Sequence, residues 1–356
     1  MGKHYPHLDL ANCVTTLFER AGLEAEIAAV VAEVLIEADL LGYDTHGLQF
    51  VPAYLENIEA GRVCTSGKPE VLRDEGAALV LDGLNLPGQW VVRQALDIGL
   101  DRLRDHPMVS IAISRSQNIS CLATYVKRAA DQGVMAILTT SAPGNAVVAP
   151  HGGREPRLST NPLAFGIPTD GDPILIDTST SSTTNRSIER ARRSGQRLPE
   201  PLLVDADGNA SDDPEAIYTV PPGAILPVGG RTQGYKGFAL SILVEALTSG
   251  LAGAGRSTPE TAGGNHFFML LLNPDSFGGS AAFQRETSYL AEYCRNTAPV
   301  DPGQPVRMPG DRACARMAEQ KVSGVQLHPE IMQRLLPWLE KYEIVAPEPS
   351  STKTII

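Results

Sequence analysis

Between residues 24 and 42 the apolar positions Ile27, Val30, Val31, Val34, Leu35 and Leu41 recur every third or fourth residue, while Glu24, Glu26, Glu33 and Glu37 fall on other faces. That spacing predicts an amphipathic helix that stops at Gly42. A second stripe, Leu48, Val51, Tyr54, Leu55 and Ile58, predicts another helix ending at Gly61. Residues 8–62 therefore read as helices, and Asp44 or Thr45 is placed to cap the second stripe.

From about residue 69 the pattern changes. Ala78–Asp82, Val109–Ile113, Met135–Thr140 and His266–Leu272 read as strands, and Leu163–Pro168 with Ile174–Asp177 as a strand pair. Helical periods lie between them at Val91–Leu103 and Ala123–Gln132. This alternation predicts an α/β layered core. Residues 196–223, rich in Pro, Gly and Asp, predict a long surface excursion, and Gly237–Leu251 a strongly apolar helix. Phe283–Arg295 reads as a helix, Pro299–Gly310 as a surface crossing, and His328–Tyr342 as a last helix kinked or broken at Pro337. The stretch 347–356 reads as a disordered tail.

Composition narrows the choice of partners. The 356 residues carry 41 acidic against 30 basic side chains, a net charge of −11, which disfavours nucleic acid and anionic membrane surfaces. An anionic ligand must then be met by local donors. No apolar run approaches the roughly 18 residues of a membrane span, and no signal peptide is readable at the N-terminus. Five cysteines, odd in number and never in CxxC spacing, suit a reducing cytoplasm.

Four segments can carry chemistry. In Gly42-Tyr43-Asp44-Thr45-His46-Gly47, a histidine between two helices either serves as a polar turn or projects its imidazole into a cleft as a proton donor. Leu158-Ser159-Thr160-Asn161-Pro162 offers hydroxyl and amide donors at a strand start, just after the bare loop Pro150-His151-Gly152-Gly153-Arg154. Ile174-Leu175-Ile176-Asp177 runs into five hydroxyls, Thr178 to Ser182, either as helix caps or as a ligand edge. Gly234-Tyr235-Lys236-Gly237 resembles a P-loop but fails it, because no Ser or Thr follows the Lys. No GxGxxG follows a strand, no His/Cys cluster has zinc spacing, and Asp205–Asn209 reads as a hairpin turn rather than a calcium loop. No nucleophile-elbow glycines surround the serines of 179–182, which argues against a serine hydrolase.

Taken together and in order, these segments resemble the malate/L-lactate dehydrogenase family of the second type, which includes sulfolactate, ureidoglycolate and diketogulonate dehydrogenases and Δ1-piperideine-2-carboxylate reductases. The matching stretches are Ala38-Asp39-Leu40 with Asp44-Thr45-His46-Gly47, then Pro150 with Gly152-Gly153, and Thr160-Asn161-Pro162. Asp177 with Thr180-Ser181, Leu226-Pro227-Val228-Gly229, Tyr235-Lys236-Gly237 and Pro309-Gly310-Asp311 complete the set, over roughly residues 10–340. The resemblance implies a non-Rossmann, three-layer α/β cofactor domain with a mixed sheet over 69–299. A helical domain from 1–68 and 300–346 would pack on it, usually in a homodimer. It implies an NAD(P)-dependent oxidoreductase that interconverts a small 2-hydroxy acid or cyclic amino acid and its 2-oxo or imine form, with His46 as proton donor and Asp177 in the catalytic site. Substrate would meet Thr45, Phe50, Thr160 and Arg154. Cofactor, NAD or NADP, would meet Asn118, Thr160, Asp177, Ser179, Thr180, Ser181, Tyr235, Lys236, Gly310, Asp311 and Arg312, and no metal is implied.

The departures are specific. Tyr43 and Thr45 stand where the family usually has His and Ser, and Phe50 where it commonly has a carboxylate-clamping Arg. Asn118-Ile119-Ser120 replaces His-Phe-Gly, and Arg186-Ser187 replaces Gly-Lys. They leave open a bulkier substrate, a less acidic one, one held by Arg154 or Arg186, or a non-catalytic ligand-binding protein on the same fold.

Overall fold

The computed structural model describes residues 3–258, 261 and 263–350. The N-terminal stripes become α1 (His7–Arg20), α2 (Ala25–Leu41) and α3 (Val51–Glu59). Ile27, Val31, Val34, Leu35 and Leu41 of α2 are buried in the main core. Gly42 ends α2 with φ +86°, and its N–H donates to the Asp39 carbonyl at 2.9 Å. Glycine takes this left-handed position without a Cβ penalty.

Seven strands form the central sheet: β1 (Glu70–Asp74), β2 (Ala78–Asp82), β3 (Met108–Ser116), β4 (Met135–Ser141), β5 (Leu163–Ile167), β6 (Ile174–Thr178) and β7 (Asn265–Leu272). Their order is β1-β2-β3-β7-β4-β5-β6, so the last strand in sequence lies at the centre. Only β2 and β3 pair in parallel, joined by α4 (Gly88–Arg102) as the crossover such a pair requires. The other pairs are antiparallel, giving a mixed sheet.

The two faces of β7 show the layering. Phe267, Met269 and Leu271 point into the core beneath α4 and α5 (Leu122–Ala130), which in turn pack on α2. His266 points the other way, its Nδ1 lying 3.3 Å from Ser249 in the π-turn Ala246–Gly250. That turn continues from α7 (Tyr235–Glu245), which covers the second face. Just before the long excursion lies α6 (Asn185–Arg193), and within the excursion a small hairpin in which Leu203–Val204 pairs with Ala210–Ser211. Its turn is closed by Asp205 accepting from the N–H groups of Asp207 and Asn209, the expected hairpin.

After α8 (Ser280–Arg295), the C-terminal helices α9 (Asp311–Ser323) and α10 (Pro329–Lys341) return to the start of the chain. His4–Tyr5 pairs antiparallel with Val325–Gln326, α9 packs on α2, and α10 on α3. Of the kink or break expected at Pro337, the break is absent, because α10 runs through the proline. Ile331, Leu335 and Leu339 on its inner face are anchored in the core on both sides of the proline, which offsets the one missing N–H. In the stretch read as a disordered tail, the Ser350 N–H donates to the His4 carbonyl at 2.8 Å, and residues 351–356 lie outside the described residues.

Candidate active site

The turn that carries His46 is held from beneath. The buried Asp39 carboxylate accepts the Leu48 N–H at 2.8 Å, so the cap comes from α2 and not from Asp44 or Thr45 as expected. Gly47 lies so close to this carboxylate that a Cβ would sit 2.2 Å from it. Gln320 of α9 donates to the carbonyls of Asp39 and Leu40, both at 2.9 Å. The His46 N–H donates to the Tyr43 carbonyl at 2.8 Å, and the Ser120 hydroxyl donates to the His46 carbonyl. Ser120 holds φ +63° to make that contact, at the position where the resembled family has glycine. The His46 Nδ1 lies 2.9 Å from the Thr45 hydroxyl, and among the described residues Nε2 has no hydrogen-bond partner.

His46 opens onto a cavity of about 890 Å³. Thr45, Phe50, Asn118, Thr160, Asp177 and Ser179 line the same cavity, so with His46 seven of the fifteen residues expected from sequence share one space. Asp177 ends β6, and its carboxylate accepts the Ala123 N–H at 2.9 Å and faces the Cys121 thiol at 3.6 Å. It therefore sits at the N-terminus of α5, where the helix dipole favours an anion, although burial pushes its carboxyl up to about 6. It does not orient His46, whose ring partner is Thr45. The Asn118 amide oxygen accepts from the Tyr54 hydroxyl at 2.8 Å and the Ser120 N–H at 2.9 Å, which fixes the loop before α5.

The remaining expected residues lie elsewhere. Thr180 and Ser181 are buried and do not line the cavity: the Thr180 hydroxyl donates across to the Thr160 carbonyl, and the Ser181 hydroxyl closes a local turn on the Thr183 carbonyl. Arg154 lines a separate pocket of about 330 Å³ with His151, Gly153 and Arg231. Tyr235 and Lys236 begin α7 outside the cavity, Tyr235 being exposed and edge-on to His151. Gly310 packs against Leu175, while Asp311 pairs with Arg295 at 2.6 Å. This turn, with Arg312, backs the strand that carries Asp177 and is not part of the cavity wall.

Two further lining residues bear on the chemistry: Arg186, named from sequence only as an alternative holder of the substrate, and Asn185, not named there. Arg186, on the first turn of α6, has its guanidinium carbon 4.9 Å from the centroid of Phe50. Burial and this positive charge together pull the His46 imidazole down to about 4, against an opposing pull from Asp44. Asn185 lines the cavity beside it, and its Oδ1 is buried without a hydrogen-bond partner among the described residues. For Asn185 the sequence signal was position alone, at the helix start after the hydroxyl run, whereas Arg186, with Ser187, stood out by replacing the Gly-Lys of the resembled family.

The chain matches the family described as malate/L-lactate dehydrogenase over residues 6–336. It is 31% identical over 330 residues to an L-lactate dehydrogenase of Cupriavidus necator, spanning 91% of this chain and 93% of the relative. It is 32% identical over 345 residues to a Delta(1)-pyrroline-2-carboxylate/Delta(1)-piperideine-2-carboxylate reductase of Pseudomonas syringae pv. tomato, spanning 93% and 94%. Among solved structures, malate dehydrogenase from Entamoeba histolytica superimposes with a TM-score of 0.91 at 24% identity, covering 98% of this chain and 100% of that one, a likeness of fold. The delta1-piperideine-2-carboxylate reductase from Pseudomonas syringae superimposes with a TM-score of 0.82 at 29% identity, covering 94% and 99%. With the mixed sheet and the His46 cavity in place, these matches identify the chain as an oxidoreductase of the malate/L-lactate dehydrogenase family.

Proposed function

We propose that the protein interconverts a small 2-hydroxy acid, or a cyclic amino acid, and its 2-oxo or imine form with NAD or NADP, and that His46 moves the proton. The observation that carries this reading is the single cavity shared by His46 and the Asp177–Ser179 segment. The wall of that cavity fits a nicotinamide nucleotide. The buried, unpartnered Asn185 Oδ1 is an acceptor awaiting a donor, and a carboxamide or ribose hydroxyl is such a donor. Thr160, Ser179 and Asn118 would hold the cofactor with it, and Asp177 would fix the edge by anchoring α5. When bound, the nicotinamide supplies or accepts the hydride.

The chain's own part is proton transfer and orientation. In reduction, His46 delivers a proton to the carbonyl oxygen or imine nitrogen. In oxidation, the neutral imidazole takes the hydroxyl or amine proton. Thr45 at Nδ1 holds the ring so that Nε2 faces the substrate. Burial and Arg186 keep the imidazole neutral at pH 7, which suits the base role directly. In the acid role the proton must arrive as the substrate's own negative charge enters the cavity.

Incubating the protein with a panel of 2-oxo acids and cyclic imines, with NADH and with NADPH, tests the reading. Consumption of reduced cofactor with at least one of them is expected. Tight cofactor binding with no turnover across the panel would instead favour a non-catalytic ligand-binding protein.

The same reading includes assembly as a homodimer in a reducing cytoplasm. Helix α7 is apolar on nearly every side, yet Leu240, Ile242 and Leu243 are 44%, 48% and 49% exposed. A helix of that composition is normally covered all round, and a second copy of the chain would cover it. Sedimentation should give twice the chain mass, and a monomer at micromolar concentration would contradict this. The five cysteines are unpaired, with Cys121 and Cys314 buried; recovery from an oxidising compartment would argue against the cytoplasm. No helix among the described residues is long and apolar enough to cross a membrane.

A further inference from the structure

We propose that Arg186 binds the carboxylate of the substrate, presented from α6 on the ring of Phe50. This rests on the dehydrogenase reading above and names the anchor and charge of its substrate.

The chain carries a net charge of −11, so its long-range field repels an anion and a local cation must hold one. Among the described residues lining the cavity, Arg186 is the one arginine or lysine. It stands at the reacting end. Its guanidinium carbon lies 4.9 Å from the Phe50 centroid, and the His46 ring meets Phe50 edge-on at 5.8 Å. Cation and imidazole thus flank one aromatic ring.

That ring is a rigid platform. Phe50 stacks on Tyr54 at 5.5 Å with planes 8° apart, and the Tyr54 hydroxyl is locked between Gln89 and Asn118 at 2.9 and 2.8 Å. A guanidinium held over an aromatic face keeps its N–H groups free to bind. One of them is used, since Nη1 meets the Glu189 carboxylate at 2.9 Å. Among the described residues Nε and Nη2 have no partner, and the side chain is 27% exposed, open to the cavity yet partly shielded from water. Glu189 is shared with Arg193, which leaves the pair of arginines in net excess over it.

The arrangement also couples binding to chemistry. The positive charge on Arg186 is one of the two causes that hold His46 neutral. A carboxylate seated on Arg186 cancels that charge, so an acidic substrate raises the proton affinity of His46 as it binds. An uncharged analogue leaves the imidazole without its proton.

The test compares wild type, Arg186→Met and Arg186→Lys, each confirmed folded by circular dichroism. Binding of oxamate, a stable mimic of a 2-oxo acid, is measured by calorimetry on the full chain saturated with reduced cofactor. Arg186→Met should weaken it by about 30-fold, the loss of a charge-assisted hydrogen bond, and Arg186→Lys by about 5-fold, because charge is kept and the fork is lost. The affinity for reduced cofactor should be unchanged in both. In turnover, Arg186→Met should raise KM for a 2-oxo acid by a similar factor while leaving KM for the matching 2-oxo amide unaltered. Unchanged oxamate affinity in Arg186→Met overturns the proposal, as does a loss confined to cofactor affinity, which would assign Arg186 to a cofactor phosphate. Oxamate binding does not depend on turnover. A wild type that binds oxamate through Arg186 but reduces nothing would therefore contradict the dehydrogenase reading and leave this one standing.

Discussion

His46→Asn is expected to slow turnover by about 100- to 10,000-fold, the usual worth of a positioned general acid or base, while affinity for reduced cofactor stays unchanged. Asparagine occupies a similar volume and can still meet the Thr45 hydroxyl. The backbone of the turn is secured independently by Tyr43, Ser120 and Asp39. The variant should therefore fold, and the loss should fall on the proton-transfer step. The pH profile of the wild type carries the same signature. Burial and Arg186 hold the free imidazole at about 4, so its protonation should lower kcat/KM for oxidation only below about pH 4, whereas any fall near pH 6 belongs to the Asp177 carboxyl in the same cavity. Intact turnover in the variant would remove His46 from the chemistry.

Asp39 should dominate stability. Asp39→Ala removes the acceptor of the buried Leu48 N–H and leaves that donor unpaired, at an expected cost of about 2–3 kcal/mol in chemical denaturation. Asp39→Asn keeps an oxygen for the same bond and removes only the ability to ionise. Burial pushes the folded carboxyl up to about 8, whereas in the unfolded chain it ionises near ~3.9. The sign is thus opposite to that of a salt-bridged carboxylate. Below pH 4 both states are protonated, and the native contribution is fully present. From there towards pH 8 the unfolded state sheds its proton while the folded state resists, costing the fold up to about 1.4 kcal/mol per pH unit. Wild type should lose stability relative to Asp39→Asn as pH rises from 5 to 8. A difference that stays flat across that range, or reverses, would show that Asp39 is ionised in the native protein.

The parts of this fold that were legible in sequence are those set by neighbours along the chain. The α2 stripe and its stop at Gly42, the strand pair β5–β6 and the Asp205–Asn209 turn all depend on residues within a few positions of one another. The insertion of β7 between β3 and β4 did not show, because pairing partners more than a hundred residues away leave no local periodicity. The cap of the His46 turn was misplaced for a related reason. Asp44 and Thr45 stand where a capping residue belongs, but the acceptor comes from Asp39, nine positions earlier, and only the packing of α2 reveals it. In the hydroxyl run after Asp177 the composition was informative and the facing was not: Ser179 reaches the cavity while Thr180 and Ser181 turn inward to backbone carbonyls. Arg154 belongs to the substrate set expected from sequence and Arg186 only to the alternatives, and the fold separates them into different pockets.

The account stands on one juxtaposition: the imidazole of His46 and the segment from Asp177 serve a single nicotinamide and substrate. A crystal structure of the complex with reduced cofactor and oxamate measures this directly. The account predicts a nicotinamide ring beside Thr160 and Ser179, with oxamate between that ring and His46 Nε2. A cofactor seated outside this cavity, for example along the pocket lined by Arg154 and Arg231, would contradict it.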